Sequence, residues 1–264
     1  MTSPQRYVSR RSLVLSMAGL SLAGTLAACG STTTPEASTG ESTTAAAGPV
    51  ELTLVSYAVT QAAYEEIIPQ FVEQWRSETG QEVTFNQSYG GSGSQTRAVL
   101  DGLEADVVAL ALALDTKKLE EGGLIEPGWE QETPNDAIVH KSVAALVLRD
   151  GNPKNIQGWD DLARDDVSVV TANPKTSGGA RWNFLALWGL NTQTGKDDAT
   201  ALDFVTQVFD NVPVLPKDAR EATDVFYTRG QGDVLINYEN EVLLAAQNGE
   251  DQPFIIPDVN ISID

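Results

Sequence analysis

Twice in this chain a run of strand-forming residues ends at a cluster of glycine and serine and gives way at once to a helical pattern. The first cluster is Gln87-Ser88-Tyr89-Gly90-Gly91-Ser92-Gly93-Ser94-Gln95, between a strand pattern at 83–87 and a helix pattern at 96–103. The second is Lys175-Thr176-Ser177-Gly178-Gly179-Ala180-Arg181-Trp182-Asn183, between a β-rich stretch and an apolar helical pattern. Strands that feed helices through such short turns belong to α/β architectures with a mostly parallel sheet. Adjacent glycines let backbone N–H groups approach a ligand, Ser177 can cap its helix, and a helix N-terminus supplies partial positive charge. That is chemistry for an oxyanion, and two such elements make facing half-sites on two lobes plausible. Either cluster alone is equally an ordinary strand-to-helix turn with a serine cap.

The rest of the chain alternates in the same way. Residues 52–57 read as a buried strand. Tyr64, Ile67, Ile68, Phe71, Val72 and Trp75 then recur at helical spacing until Gly80, with Pro69 predicting a kink or a late start. Strand 83–87, helix 92–103 and a strand at 106–112 buried on both faces follow. A polar loop with Pro134 and Asn135 leads to a strand at 143–148, where the lobe changes. The second lobe reads as strand 167–171, helices 178–190, 199–209 and 223–229, strand 234–237, helix 239–247 and strand 254–256. Lobes at 50–142 and 143–264 result, each a mostly parallel sheet flanked by helices. Ligands of such sheets sit beyond the carboxyl ends of the strands, where helix N-termini point.

The first residues carry Arg6, Arg10 and Arg11, an apolar stretch at 13–23, and Leu26-Ala27-Ala28-Cys29. This is a lipoprotein export signal over 1–28, with similarity to a twin-arginine signal. The alternative, a retained membrane anchor, meets an apolar core shorter than the ~20 residues that span a bilayer. Cleavage before Cys29 leaves its thiol to be acylated, and residues 29–49 read as a flexible tether. Cys29 is the only cysteine, so neither a disulfide framework nor a cysteine metal site is available. A net charge of −20 makes nucleic acid an unsuitable partner. His140, the one histidine, reads as a surface or hinge residue with no catalytic triad or zinc site around it. Residues 90–96 are like a nucleotide-binding loop, but Gln95 stands where lysine is required before Thr96. Asp160-Asp161 and Asp165-Asp166 read as a solvated helix end.

Gln87-Ser88 with Gly90-Gly91-Ser92-Gly93, Asp101-Gly102-Leu103-Glu104-Ala105-Asp106-Val107-Val108, Gly151-Asn152-Pro153-Lys154, the block from Asn173 to Asn183, and Gly232-Asp233-Val234-Leu235 carry a wider likeness. Over residues 50–264 they resemble the sulfate-binding (sulfate/thiosulfate) proteins of bacterial ATP-binding cassette importers. The resemblance implies a type II periplasmic-binding-protein fold with the anion in the interlobe cleft, held by hydrogen-bond donors without metal or other cofactor. It implies a monomeric binding protein rather than an enzyme, at the outer face of the cytoplasmic membrane or in the periplasm, delivering sulfate or thiosulfate to membrane permease subunits.

Position by position it implies Ser92 in the first lobe, Ser177 with the amides of Gly178 and Gly179 in the second, and the amide of Ala219. Many members have a tryptophan whose indole donates to sulfate where this chain has Tyr238. Many carry an aspartate, contributing through its backbone, where this chain has Ala58. Arg181 and Trp182 are either next to the ligand or engaged in packing and a salt bridge. None of these contacts is a carboxylate, so the implied site favours sulfate over phosphate, which keeps a proton and needs an acceptor. Members continue beyond Phe254-Ile255-Ile256-Pro257, so the first lobe is expected to lack its C-terminal return. The other functional class open to the chain is an exported lipoprotein enzyme acting on a sulfate or phosphate ester, which needs a base or metal beside the anion.

Overall fold

β1 (Val50–Tyr57) is the centre of the first sheet, paired in parallel with β2 (Val83–Gly90) on one side and β3 (Val107–Ala109) on the other. The computed structural model describes residues 48–263. The export signal, Cys29 and the tether through residue 47 lie outside the described residues. β1 and β2 are joined by α1 (Gln61–Thr79), and β2 and β3 by α2 (Ser92–Leu100). α3 (Ala113–Glu121) packs against α2. Val55, Val99 and Leu119 form the small core of this lobe.

α1 ends where the glycine permits, with Gly80 left-handed at φ 70° and its amide on the Arg76 carbonyl at 2.9 Å. It starts at Gln61 and continues through Pro69, so the helix does not begin late. Proline removes the hydrogen bond to the Glu65 carbonyl, but both residues are exposed and water can take that place. β3 is shorter than the apolar run at 106–112, and Val107 is 43% exposed. The burial expected of a strand is found instead at Ala111 and Leu112, which pack with Ala219 and Tyr238 from the second lobe.

The second sheet has the order β5-β6-β4-β7, from β4 (Ser142–Leu148), β5 (Val169–Val170), β6 (Val234–Tyr238) and β7 (Phe254–Ile255), while β8 (Ser262–Ile263) also pairs with β4. β5 and β6 are parallel, whereas β4 runs antiparallel to β6, β7 and β8. This lobe is therefore a mixed sheet, because β4 enters it against the direction of β5 and β6. Both faces are covered. Ala144, Leu146, Leu148, Val234 and Ile236 face one core with α4 (Gly178–Gln193) and α5 (Asp198–Asp210). Ala145, Val147 and Leu235 face the other with α6 (Ala219–Tyr227) and α7 (Glu239–Gln247). A two-residue period with both phases apolar is what a doubly covered strand needs. Among the described residues no helix is long and apolar enough to cross a membrane.

Leu146 is fully buried between Ile236 of β6 and Ile255 of β7. Leu146→Ala should lower unfolding free energy by about 3 kcal/mol in denaturant titration. Leu202→Ala, at a position 53% exposed, should change it by less than about 0.5 kcal/mol.

Candidate functional site

Three helices begin around one small cavity, with residues of both lobes in its wall. α2 begins there with Ser92 after Gly90 and Gly91, α4 with Gly178 and Gly179 after Ser177, and α6 with Ala219 after Asp218. Tyr57, Ala58, Val59 and Tyr238 complete the wall. The first amides of a helix have no acceptor within it. The caps relieve only the third: Ser177 Oγ accepts from the Ala180 amide at 3.2 Å, and Asp218 Oδ1 from that of Glu221 at 2.9 Å. The amides of Gly178, Gly179, Ala219 and Ser92 are left for a partner outside their helices, where the helix dipoles favour negative charge.

The glycines are also fixed by space. A Cβ on Gly178 would stand 2.5 Å from the Ala111 Cβ and 2.7 Å from Leu112 Cδ1, both in the first lobe. One on Gly91 would collide with the Thr176 carbonyl, in the second. The lobes touch along this line, with the Ser94 amide 3.3 Å from the Thr176 carbonyl and Trp182 Nε1 donating to the Ala111 carbonyl at 2.9 Å.

All six residues singled out in the sequence, Ser92, Ser177, Gly178, Gly179, Ala219 and Tyr238, border this one cavity, and Ala58 joins them. Tyr238 is fully enclosed, and its Oη has no hydrogen-bond partner within the protein. Burial, with Tyr57 and Glu241 nearby, pushes this phenol well above its ordinary value of 10, so it stays a neutral hydroxyl. Ser177 Oγ, having accepted from Ala180, retains its proton for another acceptor. Asn237, the neighbour of Tyr238, donates to the Ala219 carbonyl at 3.2 Å and Thr223 Oγ1 at 2.8 Å, and so holds the start of α6 in place.

Ser92 is arranged differently from the rest. Its hydroxyl donates to Asp115 Oδ2 at 2.8 Å and accepts the Ala111 amide at 3.0 Å, so its proton points away from the cavity. Asp115, fully buried on α3, also receives Arg181 Nη1 at 2.6 and 2.7 Å and Lys118 Nζ at 3.0 Å. Burial alone would raise this carboxyl, but hydrogen bonds from Lys118, Arg181 and Ser92 outweigh it and hold the group below the usual carboxylate range. The Arg181 guanidinium crosses from the second lobe, through the space that a Cβ on Gly93 would occupy. Arg181 and Trp182 thus bridge the lobes, and neither is in the cavity wall. Asp115 was not visible as a site residue, since its partners are distant in sequence. Exposed His140 meets the Tyr57 hydroxyl at 2.7 Å through Nε2 and is not in the cavity wall. No group of three or more His, Cys, Asp or Glu suited to a metal ion occurs among the described residues.

Comparison with known proteins places these features in context. A family model described as bacterial extracellular solute-binding protein matches residues 52–261. The chain is similar to the sulfate-binding protein of Synechocystis sp. (strain ATCC 27184 / PCC 6803 / Kazusa), 62% identical over 243 residues, 92% of this chain and 68% of the relative. It is equally similar to that of Synechococcus elongatus (strain ATCC 33912 / PCC 7942 / FACHB-805), 62% identical over 239 residues, 90% of this chain and 66% of the relative. The chain spans about two thirds of the length of these curated relatives. Among solved structures, the sulfate-binding protein SubI from Mycobacterium tuberculosis H37Rv superposes with a TM-score of 0.74 at 38% identity, covering 81% of this chain and 73% of that one.

Asp115→Ala leaves Arg181 without its carboxylate and should cost about 3 kcal/mol of stability at neutral pH. Because the folded pKa is depressed, this contribution is fully present above the ordinary carboxylate range and is lost as pH falls below that range through the lowered folded value. The stability difference between parent and variant in urea unfolding should therefore begin to shrink below about pH 4 and keep shrinking with further acidification. Gly178→Ala should hold the two lobes apart, seen as a larger radius in small-angle scattering with little change in helix content.

Proposed function

The chain belongs to the bacterial extracellular solute-binding proteins, and from that premise we propose that it captures sulfate in the cavity between its lobes and delivers it to an ATP-binding cassette permease. The observation that carries this reading is the convergence of three helix N-termini from both lobes with a buried, unpartnered phenol. The amides of Gly178, Gly179 and Ala219, with the hydroxyls of Ser177 and Tyr238, form a donor set for a fully deprotonated tetrahedral anion. Ser92 contributes through its amide, its hydroxyl being held by Asp115 in this structure. Thiosulfate, with the same charge and a larger sulfur, is the second ligand to test. No cofactor enters this account.

The lobes are residues 50–142 and 143–264. Export by the signal at 1–28, acylation at Cys29 and a tether through residue 49 would hold a monomer at the outer face of the cytoplasmic membrane or in the periplasm. The acidity of the body does not oppose anion capture. Exposed carboxylates beyond a Debye length of about 8 to 10 Å are screened, while the amides act at contact distance.

Calorimetric titration with sulfate, thiosulfate, molybdate and phosphate tests the reading, and absence of heat with sulfate would overturn it. Sulfate affinity should be nearly flat between about pH 6 and 9, since Tyr238 stays protonated there, and should survive chelators. Ser177→Ala should weaken binding by about 1.5 to 3 kcal/mol, the worth of a hydrogen bond to a charged group. Ser177→Asp should nearly abolish it, because a carboxylate in the confined cavity repels the anion directly. Tyr238→Phe should cost a comparable amount to Ser177→Ala, read in the same titration.

A further inference from the structure

A second cavity, of about 450 Å³, shares only Tyr57 with the wall of the first. That is the size of a small-molecule site. Five aromatic rings line it, those of Tyr57, Tyr64, Trp129, His140 and Trp182. Most hydrogen-bond donors of this wall are already spent. Trp129 Nε1 donates to Glu120 Oε2 at 3.0 Å and Trp182 Nε1 to the Ala111 carbonyl at 2.9 Å. Thr60 Oγ1 donates to the Tyr57 carbonyl at 2.7 Å, and the Tyr57 hydroxyl is paired with His140 Nε2 at 2.7 Å. Acceptors are still available. Glu130 and Asp136 both border the cavity, and neither side chain has an ion pair or hydrogen bond among the described residues. No lysine or arginine lines it, and burial lowers His140 from its ordinary 6.5, so the imidazole is neutral at pH 7.

An anion would meet two carboxylates here with few donors to hold it. A metal ion such as calcium requires a shell of several oxygens, which this mostly apolar wall does not provide. A primary ammonium has three N–H groups to satisfy. A quaternary ammonium has none, spreads its charge over alkyl groups, and is held by aromatic rings assisted by nearby negative charge. We propose that this second cavity binds a small quaternary ammonium group, with its aromatic wall for the alkyl groups and with Glu130 and Asp136 for the charge. The chain then carries two cavities of opposite preference, and the second stands whether or not the first holds sulfate.

The test is calorimetric titration of the full chain at neutral pH with choline chloride, with sodium chloride at equal ionic strength as control. The second titrant is the neutral alcohol in which carbon replaces the nitrogen of choline. Choline should bind at millimolar concentration or below and change the tryptophan fluorescence, since Trp129 and Trp182 border the cavity. The neutral isostere should bind about tenfold more weakly. Glu130→Gln combined with Asp136→Asn should weaken choline about tenfold while leaving the isostere and sulfate titrations unchanged. Trp129→Phe, which keeps a ring, should retain more choline binding than Trp129→Leu. Sedimentation with phosphatidylcholine vesicles, competed by choline, would place the ammonium on a lipid headgroup, whereas choline binding without sedimentation assigns a free solute; both outcomes support the site. No choline binding at millimolar concentration, equal binding of the isostere, or an unchanged choline affinity in the double charge variant overturns the inference. Each of these results can be obtained with sulfate binding intact, so the sulfate reading is judged separately.

Discussion

The amides at the start of α4 have no partner in their own helix, and Ser177 satisfies only that of Ala180. An enclosed N–H without an acceptor costs about 1 to 3 kcal/mol, so a buried helix start is tolerated only where something else will accept from it. The same condition recurs at α2 and α6, where Gly91 precedes one and Asp218 caps the other. Three such ends pointed at a single cavity make an environment that favours negative charge without any cation in its wall. The sheets follow from this arrangement, since strand ends bring helix starts to one edge of each lobe.

Arg181 lies near enough to have supplied that positive charge, but its guanidinium is turned to Asp115 at 2.6 and 2.7 Å. With Lys118 on the same carboxylate, two cations face one anion, and both are directed at Asp115 and not at the cavity. What it adds is geometry. It joins α3 of the first lobe to α4 of the second, next to the contact in which Gly178 meets Ala111 and Leu112. Dipoles hold the site, while the full charges hold the lobes.

The sequence showed those features that rest on local backbone demands. Paired glycines, cap residues and the alternating phases of 143–148 and 234–237 each reflect a conformational or burial constraint that a short window contains. The termination of α1 at Gly80 is of the same kind. Features set by distant partners were not legible. β4 reads as a strand from its apolar run, yet nothing in that run tells which way it points, and its antiparallel pairing came from the structure. α3 carries a polar pattern with only Asp115 and Leu119 buried, too little periodicity to announce a helix. The run at 106–112 suggested a longer strand because burial against another lobe leaves the same apolar residues as burial in a sheet. The engagement of Ser92 by Asp115 depends on a partner 23 residues away, and that of Asp115 by Arg181 on one 66 residues away.

If the donors from both lobes hold an anion as proposed, capture and closure are one equilibrium. The first lobe supplies the start of α2 and the wall at Tyr57, Ala58 and Val59, and the second supplies α4, α6 and Tyr238. Either half alone offers a few exposed amides that water serves as well as an anion. Brought together, they exclude water and act in a less polar medium, where each dipole counts for more. An anion that engages both halves binds the closed arrangement better than the open one and shifts the population toward it. The ion pair between Asp115 and Arg181 pulls the same way whether or not an anion is present. The selectivity for an occupied closed state must therefore come from the groups that stay unsatisfied when the cavity is empty. Tyr238 is the clearest of these, since its hydroxyl is enclosed and has no hydrogen-bond partner within the protein.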